Sequence, residues 1–201
     1  MTTMMPIRSG KAELSPAMLV DHDPRRRADY AALLADNSCR VAARPSADDL
    51  ATAVARENPD FLVVIAAMPD AGLLAEIKRL EDQSPLPVVM ISSQNGEAIG
   101  RAISAGVHAF GAVEPGSEKA LGEIRFLIDT ARANFAKLQS IGKERDNAVE
   151  ALAERKIIER AKGIVMSREG VTEDEAYRML RKTAMNQNRK LVDVARAINE
   201  V

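Results

Sequence analysis

Short apolar runs alternate with amphipathic segments five times before residue 117, and this alternation limits the possible folds more than any other feature. The runs lack the alternation of apolar and polar residues that marks a strand with one solvent-exposed face. They therefore belong to strands that are covered on both faces. A flavodoxin-like, doubly wound α/β domain with a five-stranded parallel sheet is therefore predicted over residues 17–116. The predicted strands are 17–20, 40–43, 61–65, 88–91 and 107–113. The predicted helices are 25–36, 47–57, 71–82 and 97–105, with starts marked by Pro24, Ser46, Asp70 and Asn95.

Composition excludes several classes of protein. The chain is 46% hydrophobic and 28% charged, enough to bury a core, while residues 1–16 show no periodicity and are expected to be disordered. No apolar run approaches the roughly 20 residues of a membrane span, and no secretory signal is present, so we expect a cytoplasmic protein. With Cys39 as the only cysteine and His22 and His108 far apart, neither a metal nor another cofactor is expected. No nucleophile–base pair or glycine-rich phosphate loop favours an enzyme.

From residue 117 the pattern becomes one long helical signal. Apolar residues recur at spacings of three and four, as in a coiled-coil seam, which weakens at Gly142 and Arg145 and resumes at Val149 and Leu152. We predict a coiled-coil linker over 117–153 and a homodimer through it, since a single helix would leave the stripe wet. In the alternative, the stripe packs against the chain's own α/β domain. The first seam positions are Leu121, Ile124, Ile128, Ala131, Phe135 and Leu138.

Residues 154–201 predict a module of three helices. The first continues the linker and stops near 167–170, Thr172 and Glu175 form a capping box for the second, and the third covers about 190–199. The formal net charge is −1, so any nucleic-acid binding requires a local patch. Residues 176–192 contain five basic residues and no acidic one. The candidate phosphate contacts are Arg155, Lys156, Arg160, Lys162, Arg178, Arg181, Lys182, Arg189 and Lys190.

The motifs of this module resemble those of the ANTAR domain. AKGIVM at 161–166 is followed by AYRMLRKTA at 176–184 and VARAI at 194–198. The resemblance implies binding to paired stem-loops in a nascent leader transcript, which prevents a terminator from forming, with the basic residues above as RNA contacts. Tyr177 lies at a helical core spacing, and we favour a core role for it over base stacking.

The α/β domain resembles a response-regulator receiver, although its phosphorylation chemistry is missing. A phosphoryl-accepting receiver has an aspartate three residues before a Met-Pro pair such as Met68-Pro69, and that position is Ile65, so no phosphoacceptor is expected. Glu114 stands where the lysine before the final proline is expected. His22 stands where the second acid after the first strand is expected. A pseudo-receiver is therefore predicted, in which Asp21 is a relic, a capping residue or a weak cation ligand. The vestigial site comprises Asp21, His22, Asp23, Ser92 and Glu114.

The whole arrangement resembles the nitrate-assimilation antiterminators of the NasT type. That resemblance implies control by a separate nitrate- or nitrite-sensing protein of the NasS type. The predicted function is thus RNA-binding transcription antitermination of nitrate or nitrite assimilation genes, switched by a protein partner and not by phosphorylation. One alternative is a DNA-binding response regulator that uses its last two helices as a helix-turn-helix, and another is a structural adaptor with a solvated basic face.

Overall fold

The computed structural model describes residues 14–92 and 97–200. The chain divides into two compact units. The units are Met1–Leu138 and Gln139–Val201. Among the described residues, no helix has both the length and the apolar character needed to cross a membrane.

A five-stranded parallel sheet forms the centre of the first unit, which confirms the predicted doubly wound fold. The strand order is β2-β1-β3-β4-β5, and all neighbouring pairs are parallel. The strands are β1 (Ser15–Val20), β2 (Cys39–Arg44), β3 (Phe61–Ile65), β4 (Val88–Ile91) and β5 (Ala109–Gly111). The helices between them are α1 (Pro24–Asp36), α2 (Leu50–Glu57), α3 (Ala71–Gln83) and α4 (Glu97–Ser104).

Alternate residues of the central strands supply the two faces of the sheet. Leu19 and Val63 belong to one buried cluster together with residues of α1, whereas Met18 and Val64 belong to a second cluster with residues of α2 and α3. All five residues of β3 are buried. Continuous apolar runs are needed here because helices cover both faces of the central strands.

Three elements start two or three residues away from the predicted position, and one of them, β5, starts at Ala109 instead of 107. Strand β1 begins at Ser15, inside the segment expected to be disordered, because the backbone N–H of Ser15 bonds to Ser38 and its hydroxyl donates to Asp60 at 2.7 Å. Helix α2 begins at Leu50 instead of 47, since the Ser46 hydroxyl engages Asp48 and Asp49 has a left-handed φ of 52°. Residues 1–13 and the predicted helix start at Asn95 lie outside the described residues.

The long helix that follows β5 corrects part of the coiled-coil prediction. Helix α5 (Ala120–Glu169) contributes to both units, and its first turns cover the sheet. Ile124, Ile128 and Ala131 are buried there, so these seam positions pack on the chain's own α/β domain and cannot face a second copy. Phe135 is partly buried and meets the ring of His108 edge-on, with centroids 5.2 Å apart. The α/β unit thus extends well past residue 116.

The second unit combines the end of α5 with α6 (Glu173–Asn186) and α7 (Leu191–Asn199). Its small core contains Ala161, Leu180, Ala184, Val194 and Ala195. Gly170 ends α5 with a φ of +66°, a left-handed conformation that glycine adopts without steric cost. The predicted capping box forms at Thr172, whose N–H and hydroxyl both donate to the Glu175 carboxylate.

Candidate nucleic-acid interface and receiver site

Basic side chains occupy the side of α6 that faces away from the core. Leu180 is buried, and at 3.6 residues per turn Arg178 and Lys182 point roughly 160° away from it, with Arg181 on the adjoining flank at about 100°. All three basic residues are exposed. The acidic residues of α6 lie in its first turn, so the rest of this outer face is positively charged.

The basic run continues into the turn after α6. Arg189 and Lys190 are exposed, and Lys190 is the N-cap residue of α7. The turn itself contains Asn188 at a φ of 50°. On α7 the one basic residue, Arg196, lies 3.5 Å from the Asp193 carboxylate, which leaves little unpaired positive charge for a DNA groove.

The predicted basic residues of α5 fall on two different flanks of that helix. Lys156 and Arg160 are one turn apart and exposed on one flank. Arg155 and Lys162 lie on the other flank, where they line a hollow of about 450 Å³ beside α6. The structure therefore does not bring the four residues together on one surface.

Lys162 differs from the other predicted RNA contacts because it is buried and paired. Its ammonium lies 2.8 Å from Glu159 and 2.6 Å from Glu173, and only 8% of the residue is exposed. The hydrogen bond to Glu159, followed by that to Glu173, raises the pKa of Lys162. The pKa of Glu173 is lowered in turn by its bond to Lys162. This cation joins α5 to α6, and its charge is already paired with two carboxylates, which leaves little of it for a phosphate.

Tyr177 is not the core residue that its spacing predicted. It is 42% exposed, and the Lys162 ammonium lies 6.0 Å from its ring centre. The ring lines the same hollow as Arg155 and Lys162. Four carboxylates also line that hollow, those of Glu154, Glu159, Glu173 and Asp174.

A bidentate ion pair occupies the acidic corner of the receiver-like site. The Asp21 carboxylate is fully buried and accepts from Nε and Nη2 of Arg26, each at 2.7 Å. Its hydrogen bond to Asp21 raises the pKa of Arg26, so the guanidinium stays charged. Asp21 also accepts the backbone N–H of Asp23 at 3.0 Å. Asp21 was expected to be a relic, a capping residue or a weak cation ligand, and none of these three roles describes the buried ion pair that it forms with Arg26.

The other predicted site residues do not converge on one point. Asp23 caps α1 by accepting the N–H groups of Arg25 and Arg26, and the bond to Arg26 lowers its pKa. His22 and Glu114 are exposed. Ile65 and Ser92 line a hollow of about 170 Å³ together with Arg26, and the Ser92 hydroxyl donates to the carbonyl of Ala67 at 3.1 Å.

These residues do not suit the divalent cation that a phosphoryl-accepting receiver uses. Both carboxylate oxygens of Asp21 are bonded to Arg26, Asp23 is used as a helix cap, and the side chain of Ile65 has no ligand atom. Within 14–92 and 97–200, no group of three or more His, Cys, Asp or Glu residues could hold a metal ion. Arg26 supplies the positive charge at this corner of the fold.

Two features of these sites were missed by sequence reasoning. Arg26 was not singled out, although three consecutive arginines begin four residues after Asp21. Met185 was also overlooked, and it is 73% exposed at the end of α6. A helical count could have found it, since it lies seven residues after Arg178 and therefore on the same face.

Solved structures identify the class of fold to which the first unit belongs. The crystal structure of FixJ-N is 21% identical and aligns with a TM-score of 0.50 over 59% of this chain and 94% of that chain. NtrX from Brucella abortus in complex with ADP is 22% identical, with a TM-score of 0.50 over 65% of this chain and 29% of its own. The first unit has the response-regulator receiver fold.

The second unit contains a match to a known domain. Residues 146–198 match the ANTAR domain, and the chain therefore carries an ANTAR domain at the end of a receiver-type fold. Over 72 residues, 36% of this chain, it is 38% identical to the nitrate regulatory protein of Klebsiella oxytoca, and the match spans only 18% of that protein. Over 185 residues it is 23% identical to the transcriptional regulatory protein PdtaR of Mycobacterium tuberculosis, covering 91% of this chain and 88% of PdtaR. These relatives are regulatory proteins by name.

Proposed function

We propose that this chain is an RNA-binding transcription antitermination regulator that acts in the cytoplasm on paired stem-loops of a leader transcript. One observation carries the proposal: the ANTAR-matching unit bears an exposed basic face on α6, in a chain whose formal net charge is −1. Lys and Arg side chains gathered on one helix face bind phosphates by releasing counterions. This unit has no comparable basic face on α7, so a helix-turn-helix that reads DNA with α7 is less well supported.

A salt titration tests this proposal. An RNA with two tandem hairpins should bind more tightly than duplex DNA of equal length, and its affinity should fall with salt. The double variant Arg181→Gln/Lys182→Gln should bind the RNA about tenfold more weakly or worse, with the salt slope reduced by about 2. The matched control, Arg25→Gln/Lys119→Gln, removes two exposed charges of the first unit and should bind normally. Equal affinity for RNA and duplex DNA would refute the proposal.

Control by a protein partner is the second part of the proposal. The side chain of Ile65 cannot accept a phosphoryl group, and Arg26 bonds to both carboxylate oxygens of Asp21. The likeness to the Klebsiella nitrate regulatory protein supports nitrate or nitrite as the signal. We therefore assign the switch to a separate sensor protein of the NasS type. A sensor encoded beside this gene should bind the full chain without nitrate and release it when nitrate is added, and RNA binding should rise on release.

Self-association through α5 is the third part. Beyond the sheet, α5 presents apolar side chains to solvent at Leu138, Ile141, Val149 and Leu152, each at least 52% exposed. A helix with such a stripe is stabilised when a second copy covers it. We propose a homodimer formed through this part of α5, so that two ANTAR units act on two stem-loops.

A further inference from the structure

An exposed methionine lies within the basic face of α6. Met185 is 73% exposed, the highest value among the large apolar residues that the structure describes as exposed. By helical position it points roughly 140° away from the buried Leu180, within about 20° of Arg178. Arg178, Arg181, Lys182 and Met185 thus follow the spacing i, i+3, i+4, i+7 and form one stripe.

The charge around this methionine restricts what can cover it. Residues 176–192 contain no acidic side chain, so no carboxylate of α6 interrupts the stripe from Arg178 to Met185. An apolar contact inside a positive surface fits a ligand that offers both negative charge and an apolar face. An unpaired nucleotide has both, since its phosphate carries charge and its base has a flat face that packs against apolar or aromatic groups.

The hollow beside Tyr177 is a poorer place for the same ligand. Tyr177 is exposed enough to stack, but the hollow that it lines contains four carboxylates and only two basic groups, Arg155 and Lys162. Lys162 is already bonded to Glu159 and Glu173. A nucleotide phosphate would be repelled there, whereas beside Met185 it would meet Arg181 and Lys182.

We infer that Met185 packs against an unpaired loop base of the RNA and that the outer face of α6, not the hollow at Tyr177, is where the loop binds. This inference rests on the proposed RNA-binding function and adds a specificity-determining residue to it. Arg178, Arg181 and Lys182 bind the phosphates of the loop backbone, and the strength of these ionic contacts depends on salt. The contact of Met185 with the base is apolar and depends on whether a base is present, not on salt.

Three substitutions in the full chain separate this contact from general effects. The probe is a two-hairpin RNA selected in vitro for binding to the wild-type protein from a pool with randomised loops. Met185→Ala should weaken binding by about fivefold to tenfold without changing the salt slope. Met185→Leu, which keeps an apolar side chain, should stay within about twofold of wild type. Met179→Ala is the matched control, since Met179 is 42% exposed but lies roughly 120° around the same helix from Met185.

The base contact itself is tested with the same RNA carrying abasic sites in its loops. On this probe wild-type protein and the Met185→Ala variant should bind equally weakly, because the partner of the side chain is gone. The inference would be overturned if Met185→Ala bound the selected RNA as tightly as wild type does. It would also be overturned if the substitution reduced affinity for the abasic RNA by the same factor as for the selected RNA. Either result would leave the proposed RNA binding intact.

Two further outcomes have distinct meanings. If the selection yields no RNA that binds better than duplex DNA, the proposed function fails, and the inference fails with it. If Met185→Ala leaves RNA binding unchanged but weakens self-association or sensor binding, the face docks a protein, and the inference is wrong while the proposed function stands.

Discussion

At the residue scale, the pair of Asp21 and Arg26 shows how this receiver fold accommodates a fully buried carboxylate. A buried carboxylate needs a positive partner, because desolvation of an unpaired charge costs several kcal/mol. In a phosphoryl-accepting receiver a metal ion can serve as that partner. Here the guanidinium of Arg26 serves in its place, with two bonds of 2.7 Å.

Removal of this partner should destabilise the first unit. We expect Arg26→Met to lower the free energy of unfolding by roughly 3 kcal/mol, because the variant keeps the aliphatic stem but leaves the Asp21 charge buried and unpaired. Urea unfolding followed by circular dichroism measures the change. Arg25→Met is the matched control, since Arg25 is exposed, and it should stay within about 0.5 kcal/mol of wild type. Equal midpoints for the two variants would contradict a structural role for the ion pair.

His108 should make stability depend on pH. Its Nδ1 accepts the N–H of Val88 at 3.2 Å, and burial lowers its pKa below the ordinary value of 6.5. The unfolded chain therefore binds this proton more readily than the folded chain does. Neutral His108 therefore makes its full contribution to the free energy of unfolding above pH 6.5, and this contribution is lost as the pH falls toward the lower pKa of the folded state.

A variant isolates this effect. His108→Gln removes the titrating ring, so its free energy of unfolding should fall less than that of wild type between about pH 7 and about pH 5. Urea titrations at several pH values give the slope of unfolding free energy against pH for the wild type and for the variant. Parallel slopes for the two proteins would show that His108 does not contribute.

At the element scale, the 50 residues of α5 include a buried part and an exposed part. Its first turns complete the core of the receiver fold, whereas its exposed stripe from Leu138 to Leu152 has no partner within the chain's described part. One helical repeat in the sequence therefore contains positions with two different structural roles.

Matched alanine substitutions should separate these roles. Ile124→Ala creates a cavity in a fully buried position, and we expect a loss of about 3 kcal/mol in unfolding free energy with self-association unchanged. Leu152→Ala should leave the stability of the first unit unchanged and weaken self-association. Analytical ultracentrifugation and urea unfolding distinguish the two effects. A change of self-association in the Ile124 variant, or none in the Leu152 variant, would contradict this division of α5.

At the scale of the whole molecule, control by a partner predicts indifference to phosphodonors. Incubation of the full chain with a small-molecule phosphodonor and Mg²⁺ should leave its mass unchanged, because Ile65 offers no acceptor and Arg26 holds Asp21. Intact-mass spectrometry measures this, with a phosphorylatable receiver as positive control. A mass increase of one phosphoryl group on Asp21, Asp23 or Asp70 would disprove the proposed mode of control.

The sequence alone determined the features whose causes are local. Strands β3 and β4 begin and end where predicted, and the capping box at Thr172 forms, because apolar runs and caps depend on residues a few positions apart. The alternation of strand and helix also specified the parallel sheet, and the ordered motifs indicated the ANTAR domain.

Only the tertiary structure decided which neighbours each side chain meets. The spacing of Ile124 is the same whether it faces a second copy or the chain's own sheet, and folding placed it against the sheet. Lys162 reads as a basic residue like the others, yet folding brings Glu173 within 2.6 Å of it. The burial of Asp21 against Arg26 and the exposure of Met185 likewise follow from packing among distant segments, which a local pattern does not encode.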